Sequence, residues 1–158
     1  MNKKYKIMNL FEKISEDLKA AMLARDKNKL EPLRAVKTAF LNAKSEIGVS
    51  AILSEQDELK IIQKLVKQRK DSAEIYKSQN RNDLYEKEIS EAQVIEQYLP
   101  KQLGQEELKT KLKEIITKLG ANSPKDMGKV MGVATKELAG QADGKSISTM
   151  VRILLSGE

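Results

Sequence analysis

Apolar residues that recur at alternating spacings of three and four constrain this chain more than any other feature. Leu33, Val36, Phe40, Ala43 and Ile47 form the clearest run. On a helix of 3.6 residues per turn they share one face, whereas on a strand they would scatter over both. Leu10, Phe11, Ile14, Leu18 and Met22 repeat the pattern, as do Leu59, Ile62, Val66, Ala73 and Tyr76. The expected fold is therefore all-α. Composition agrees where it bears on the point: aromatics are 4% of the 158 residues, Trp is absent and Pro occurs three times. Such a mix suits helices and serves a β-sandwich poorly.

Start and stop signals divide the pattern. Asn9 with Glu12 opens a helix over residues 9 to 25, and Asn28 with Glu31 opens a second that Gly48 closes. Pro32 is read into the first turn of that second helix, where a missing amide is tolerated. Ser54 with Asp57 starts a third helix reaching about Ser78, and Asn82 starts a fourth running to Tyr98. Short connections predict antiparallel neighbours. Pro100, in "YLPKQLGQ", then stops the pattern and biases Leu99 to extended backbone. This places a boundary between a four-helix domain, residues 1–98, and a small three-helix domain, residues 99–158. The smaller domain reads as helices over 106–119, 124–138 and 147–155. Gly120 ends the first; Ser123, Pro124 and Asp126 start the second; Ala139-Gly140 ends it. Asp143-Gly144 reads as a turn and Ser146 as the cap of the last helix.

The chain contains no Cys and no His. Thiol nucleophiles, disulfides, thiolate zinc sites and imidazole bases are excluded. No phosphate loop or dinucleotide fingerprint is present, and no catalytic residue, metal ligand or cofactor is assigned. No apolar run approaches a membrane span. The opening "MNKKYKIMNLFEKI" is charged throughout and lacks a signal-peptide core, so the expected location is cytoplasmic. A formal charge of +6 makes an acidic partner plausible.

The stretch "KDMGKVMG", residues 125–132, sets Gly128 and Gly132 inside a helix, although glycine there costs about 1 kcal/mol relative to alanine. With Lys125 as origin and a step of about 100° per residue, Lys136 and Lys129 fall at about 20° and 40°. Met127, Met131, Ala134 and Leu138 gather opposite. Gly128, Gly132, Thr135 and Ala139 form a strip of small residues beside the lysines. Two readings fit. In one, the strip lets a neighbouring helix approach closely and the lysines are solvated. In the other, it opens the helix backbone to a phosphodiester chain, with Lys125, Lys129, Lys136, Lys145 and Arg152 as phosphate contacts.

Together with "YLPKQL", "ADGKSIS" and "MVRILL", this stretch resembles the signature of the GatB/YqeY family. "LEPLRAVKTAFLNAKSE", "VKQRKDSAEIY" and "NRNDLYEKEISE" resemble the helical N-terminal part of YqeY-type proteins, so the likeness covers nearly the whole chain. It implies two all-helical subdomains, the smaller similar to the tail domain of the GatB component of the tRNA-dependent amidotransferase. By similarity, Lys125, Gly128, Lys129, Gly132 and Lys145 are the positions to carry over. The catalytic cradle of that component has no counterpart in this chain, so the resemblance transfers binding rather than chemistry. It implies a non-catalytic tRNA-binding protein accessory to tRNA-dependent amidation. The alternative is a module that docks on an amidotransferase or an aminoacyl-tRNA synthetase.

One position breaks the apolar seams. Arg69 falls where the third helix calls for an apolar residue, and Glu88 and Glu91 lie near the seam of the fourth. The structural reading is a partly buried ion pair between helices, since an unpaired buried charge costs several kcal/mol. The functional reading is a polar site built from "KQRKDS" and these acids.

Overall fold

The computed structural model describes residues 8–48 and 50–157, and the charged opening MNKKYKI lies outside them. Among the described residues the chain is all-helical, with seven α-helices, one 3₁₀ turn and no strand. They divide into two compact units, one ending at Tyr98 and the other beginning at Leu99.

The first unit comprises α1 (Leu10–Ala24), α2 (Lys27–Ile47), α3 (Glu55–Ser78) and α4 (Asn82–Glu96). Asn9 caps α1 reciprocally: its side chain accepts from the Glu12 amide at 2.8 Å, and its own amide donates to the Glu12 carboxylate at 3.3 Å. Ser54 caps α3 by accepting from the Asp57 amide at 3.1 Å. Ile14, Leu18, Leu33, Val36, Phe40, Ile62, Val66 and Ile95 are buried and form the core. Each such side chain contributes about 1.5–3 kcal/mol on burial. The most extensive packing is between α3 and α4.

Several expected details differ. Met22 is exposed, and Ala21 takes the core position of that turn. Ile47 is exposed at the end of α2, whose buried residues stop at Phe40. α2 begins at Lys27 after Asp26, not at Asn28, so Pro32 lies in its second turn and is buried. The Asn28 carbonyl there loses its helical donor, and Asn28 is exposed to solvent, which can serve it. α4 ends at Glu96, two residues short of Tyr98.

The second unit comprises α5 (Gln105–Leu119), a 3₁₀ turn (Pro124–Asp126), α6 (Met127–Glu137) and α7 (Gly144–Ser156). Leu108, Leu112, Ile115, Val130, Ala134, Leu138, Ile147, Val151 and Leu155 close one core between the three helices. Gly120 ends α5 at φ 63°, a left-handed conformation that a side chain would strain. α7 starts earlier than its apolar pattern suggests. Asp143 is the cap, accepting from the Ser146 amide at 2.7 Å and from its hydroxyl at 2.9 Å, so Ser146 lies inside the helix. The segment after Pro100 is strapped to this unit. Gln102 donates to the carbonyls of Gly140 at 2.7 Å and Pro100 at 2.9 Å, and the Leu103 amide donates to Gln141 at 2.9 Å.

Candidate nucleic-acid interface

The second unit positions the lysine and glycine residues singled out above. Ser123 and Asp126 form a capping box, with Pro124 opening the turn. The Asp126 carboxylate accepts from the amides of Asn122 at 3.0 Å and Ser123 at 3.3 Å. Those amides hold its carboxyl below the ordinary aspartate range. The turn is 3₁₀, with three residues per turn, so exposed Lys125 stands outside α6 and off the phase of Lys129 and Lys136. The buried face of α6 is Val130 and Ala134, continued by Leu138 just past its end, with Met127 and Met131 half-buried at its edge.

Gly128 and Gly132 are both exposed. A Cβ built on either would meet nothing within 4 Å beyond its own helix backbone and adjacent residues. No other helix of this unit therefore packs over the two glycines, whereas Thr135 and Ala139 of the same strip are half-buried. Lys129 and Lys136 are also exposed, two turns and about 10 Å apart along α6. Lys129 has an internal partner as well: its ammonium donates to the Leu119 carbonyl, the last residue of α5, at 3.0 Å. Helix ends leave their final carbonyls unsatisfied and carry negative partial charge, so a lysine there is stabilising.

Lys145 lies in the first turn of α7 and Arg152 two turns later, both exposed. Lys145 shares a groove with Gln105 and Leu108, near the start of α5, and with Thr149 and Ile153. Lys129 thus meets the end of α5 and Lys145 its beginning. With a rise of 1.5 Å per residue, these two cations are separated by roughly 15–20 Å. The cations form a spread field rather than a single anion pocket. Sequence reading passed over another part of it. Lys111, Lys113 and Lys118 line a second groove along α5 with Glu114 and Glu137. "KTKLKEIITK" was the available signal, being the most lysine-dense stretch of this unit.

In the first unit Arg69 donates through Nε to Glu91 at 3.0 Å and through Nη1 to the Leu65 carbonyl at 3.3 Å. The paired side chains are 15% and 16% exposed, so the pair is largely desolvated. Glu88, one turn from Glu91, makes no ion pair among the described residues. Lys70 pairs with Glu96 across the same two helices. A polar contact invisible in the sequence is Glu58. It is 3% exposed, and its carboxylate accepts from the Phe11 amide at 2.8 Å, capping α1 from α3. Burial raises its pKa above the ordinary glutamate range, and that hydrogen bond only partly opposes the shift. Among the described residues no acidic cluster is arranged to hold a metal, and no helix is long and apolar enough to cross a membrane.

A two-unit helical chain with this lysine-bearing second unit defines a recognisable class. The family model for YqeY-like proteins matches residues 11–155. The chain belongs to that family. Its relatives include proteins named altered inheritance of mitochondria protein 41, mitochondrial. The one from Clavispora lusitaniae is 31% identical over 72% of this chain and 66% of its own length. Those from Candida glabrata and Saccharomyces cerevisiae are 29% and 31% identical, over 89% and 84% of this chain and 74% and 70% of theirs. The cytoplasmic expectation is overturned by these relatives, which are named as mitochondrial. It rested on the lack of an apolar signal core, and mitochondrial targeting uses amphipathic basic segments instead.

Proposed function

We propose that this YqeY-like protein is a non-catalytic RNA-binding protein whose second unit holds tRNA by its phosphates in support of tRNA-dependent amidation. The observation that carries the reading is the open ground over Gly128 and Gly132 beside exposed lysines. Each glycine costs its helix about 1 kcal/mol relative to alanine. Packing inside the unit gives no reason for them, and close approach of a phosphodiester chain does. Phosphate contacts from Lys fix position without reading sequence. The link to amidation rests on the likeness of "KDMGKVMG" and "ADGKSIS" to the amidotransferase tail domain.

A second reading, docking on an amidotransferase or an aminoacyl-tRNA synthetase, is favoured by one observation: Ile153 is exposed in the groove beside Lys145. Salt separates the two. Four phosphate contacts make affinity fall roughly a hundredfold between 50 and 200 mM salt. Titrating total tRNA against the protein at those concentrations tests this. Saturable binding with that slope supports the first reading; absence of binding at low salt rejects it.

A further inference from the structure

We infer that the second unit takes double-helical RNA by its backbone and does not read the bases of single strands. The inference rests on the RNA reading above and names the form of RNA. Residues 99–158 contain no Phe, Tyr or Trp. Proteins that hold single strands stack successive bases on aromatic rings, worth about 1–3 kcal/mol per base. Sequence-specific recognition of RNA loops uses the same platforms. This unit has none, and its one guanidinium, Arg152, offers a single plane.

In the first unit, each described aromatic is buried, half-buried or already in contact with a neighbour. Phe40 is buried, and Phe11 packs 6.3 Å from it beneath the Lys44 ammonium. Tyr98 bonds Asp17 at 2.5 Å, with Lys13 over its ring, and Lys77 covers Tyr85 at 5.8 Å. Tyr76 is half-buried on α3.

What the second unit offers is cations at fixed separations. Lys129 and Lys136 lie about 10 Å apart on α6, Lys145 and Arg152 about 10 Å apart on α7, and Lys129 and Lys145, at opposite ends of α5, are separated by roughly 15–20 Å. A duplex presents phosphates already fixed in space. A single strand would have to be ordered to meet the same points, with no stacking to offset the entropy lost. The A-form minor groove is wide and shallow, and it suits a helix face that lacks side chains at Gly128 and Gly132.

The test uses the full chain at low salt with four probes: two RNA duplexes of unrelated sequence, an unstructured single strand of equal length, and total tRNA. The inference expects the duplexes to bind within about threefold of each other and the single strand at least tenfold more weakly. Lys136→Ala should lower affinity for both duplexes alike. Tighter binding of the single strand, or more than tenfold discrimination between the duplexes, overturns the inference while leaving RNA binding standing. Binding of none of the probes, tRNA included, removes the RNA reading and this inference with it.

Discussion

The Lys129 ammonium donates to the Leu119 carbonyl at 3.0 Å, so one lysine of the candidate surface also closes the end of α5. A charge reversal there has two consequences. Lys129→Glu places a carboxylate against the negative end of a helix and should destabilise the second unit by about 0.5–1 kcal/mol. Lys136→Glu, on the same face, should leave the melt within the ±0.5 kcal/mol of ordinary surface changes. Thermal melts of both variants beside tRNA titrations check this. If both weaken RNA binding but only Lys129→Glu shifts the melt, charge and folding are separated. A large loss of stability from Lys136→Glu would show the residue to be structural.

Arg69 and Glu91 form the pair on which the α3–α4 seam turns. Removing one partner strands the other in a largely desolvated place. Arg69→Ala is expected to cost about 2–4 kcal/mol, and Glu91→Ala a similar amount. The double variant should cost less than the sum. Glu88→Ala should change stability by less than about 0.5 kcal/mol. Urea unfolding of the four proteins measures all of this, and equal effects at Glu88 and Glu91 would contradict the pairing.

Much of the fold was legible because helices announce themselves locally. Asn9 with Glu12, Ser54 with Asp57 and Gly120 all mark helix ends where the sequence puts them. Their signals act within one turn of chain. Ser146 misled because Asp143, three residues earlier, takes the capping role, and Asn28 misled because α2 already begins at Lys27, after an Asp26 whose side chain makes no capping hydrogen bond. The role of Glu58 was not legible at all. A first-turn acid reads as a partner for its own helix dipole, and only tertiary packing delivers it to the Phe11 amide. For the candidate site, residue types and helical phase could be read along the chain. Three things could not: that Lys129 reaches α5, that the 3₁₀ turn moves Lys125 out of phase, and that the glycines face open space.

Glu58 makes stability depend on pH in an unusual direction. Its carboxyl is raised by burial above the unfolded value, so between the two pKa values the folded protein binds more protons than the unfolded one. Stability attributable to this group therefore rises as pH falls from neutral toward about 4.5, opposite to the usual salt-bridged carboxylate. Groups facing it include Glu12, Glu55 and Lys44. Glu58→Gln keeps an acceptor for the Phe11 amide and removes the titration. The variant should be at least as stable as the parent at pH 7 and should lose this component of the pH dependence. Chemical unfolding at intervals from pH 4.5 to 7 tests it; superimposable pH profiles would show that folding leaves the Glu58 carboxyl unshifted.

The segment from Leu99 onward should fold alone. Its nine buried apolar residues come from all three of its own helices. Its entry segment is also held internally, by Gln102 on Gly140 and Leu103 on Gln141. A domain of this size buries only about 60% of its unfolded surface and is marginal, so each such bond is a noticeable share of the total. A purified fragment of residues 99–158 should show helical circular dichroism and a cooperative melt. Gln102→Ala in that fragment should cost about 1 kcal/mol, because it frees two carbonyls held at the strap. A fragment without helical signal, or one that melts without cooperativity, would show that the second unit draws its stability from the rest of the chain. In that case "YLPKQL" would mark a continuous fold rather than a boundary.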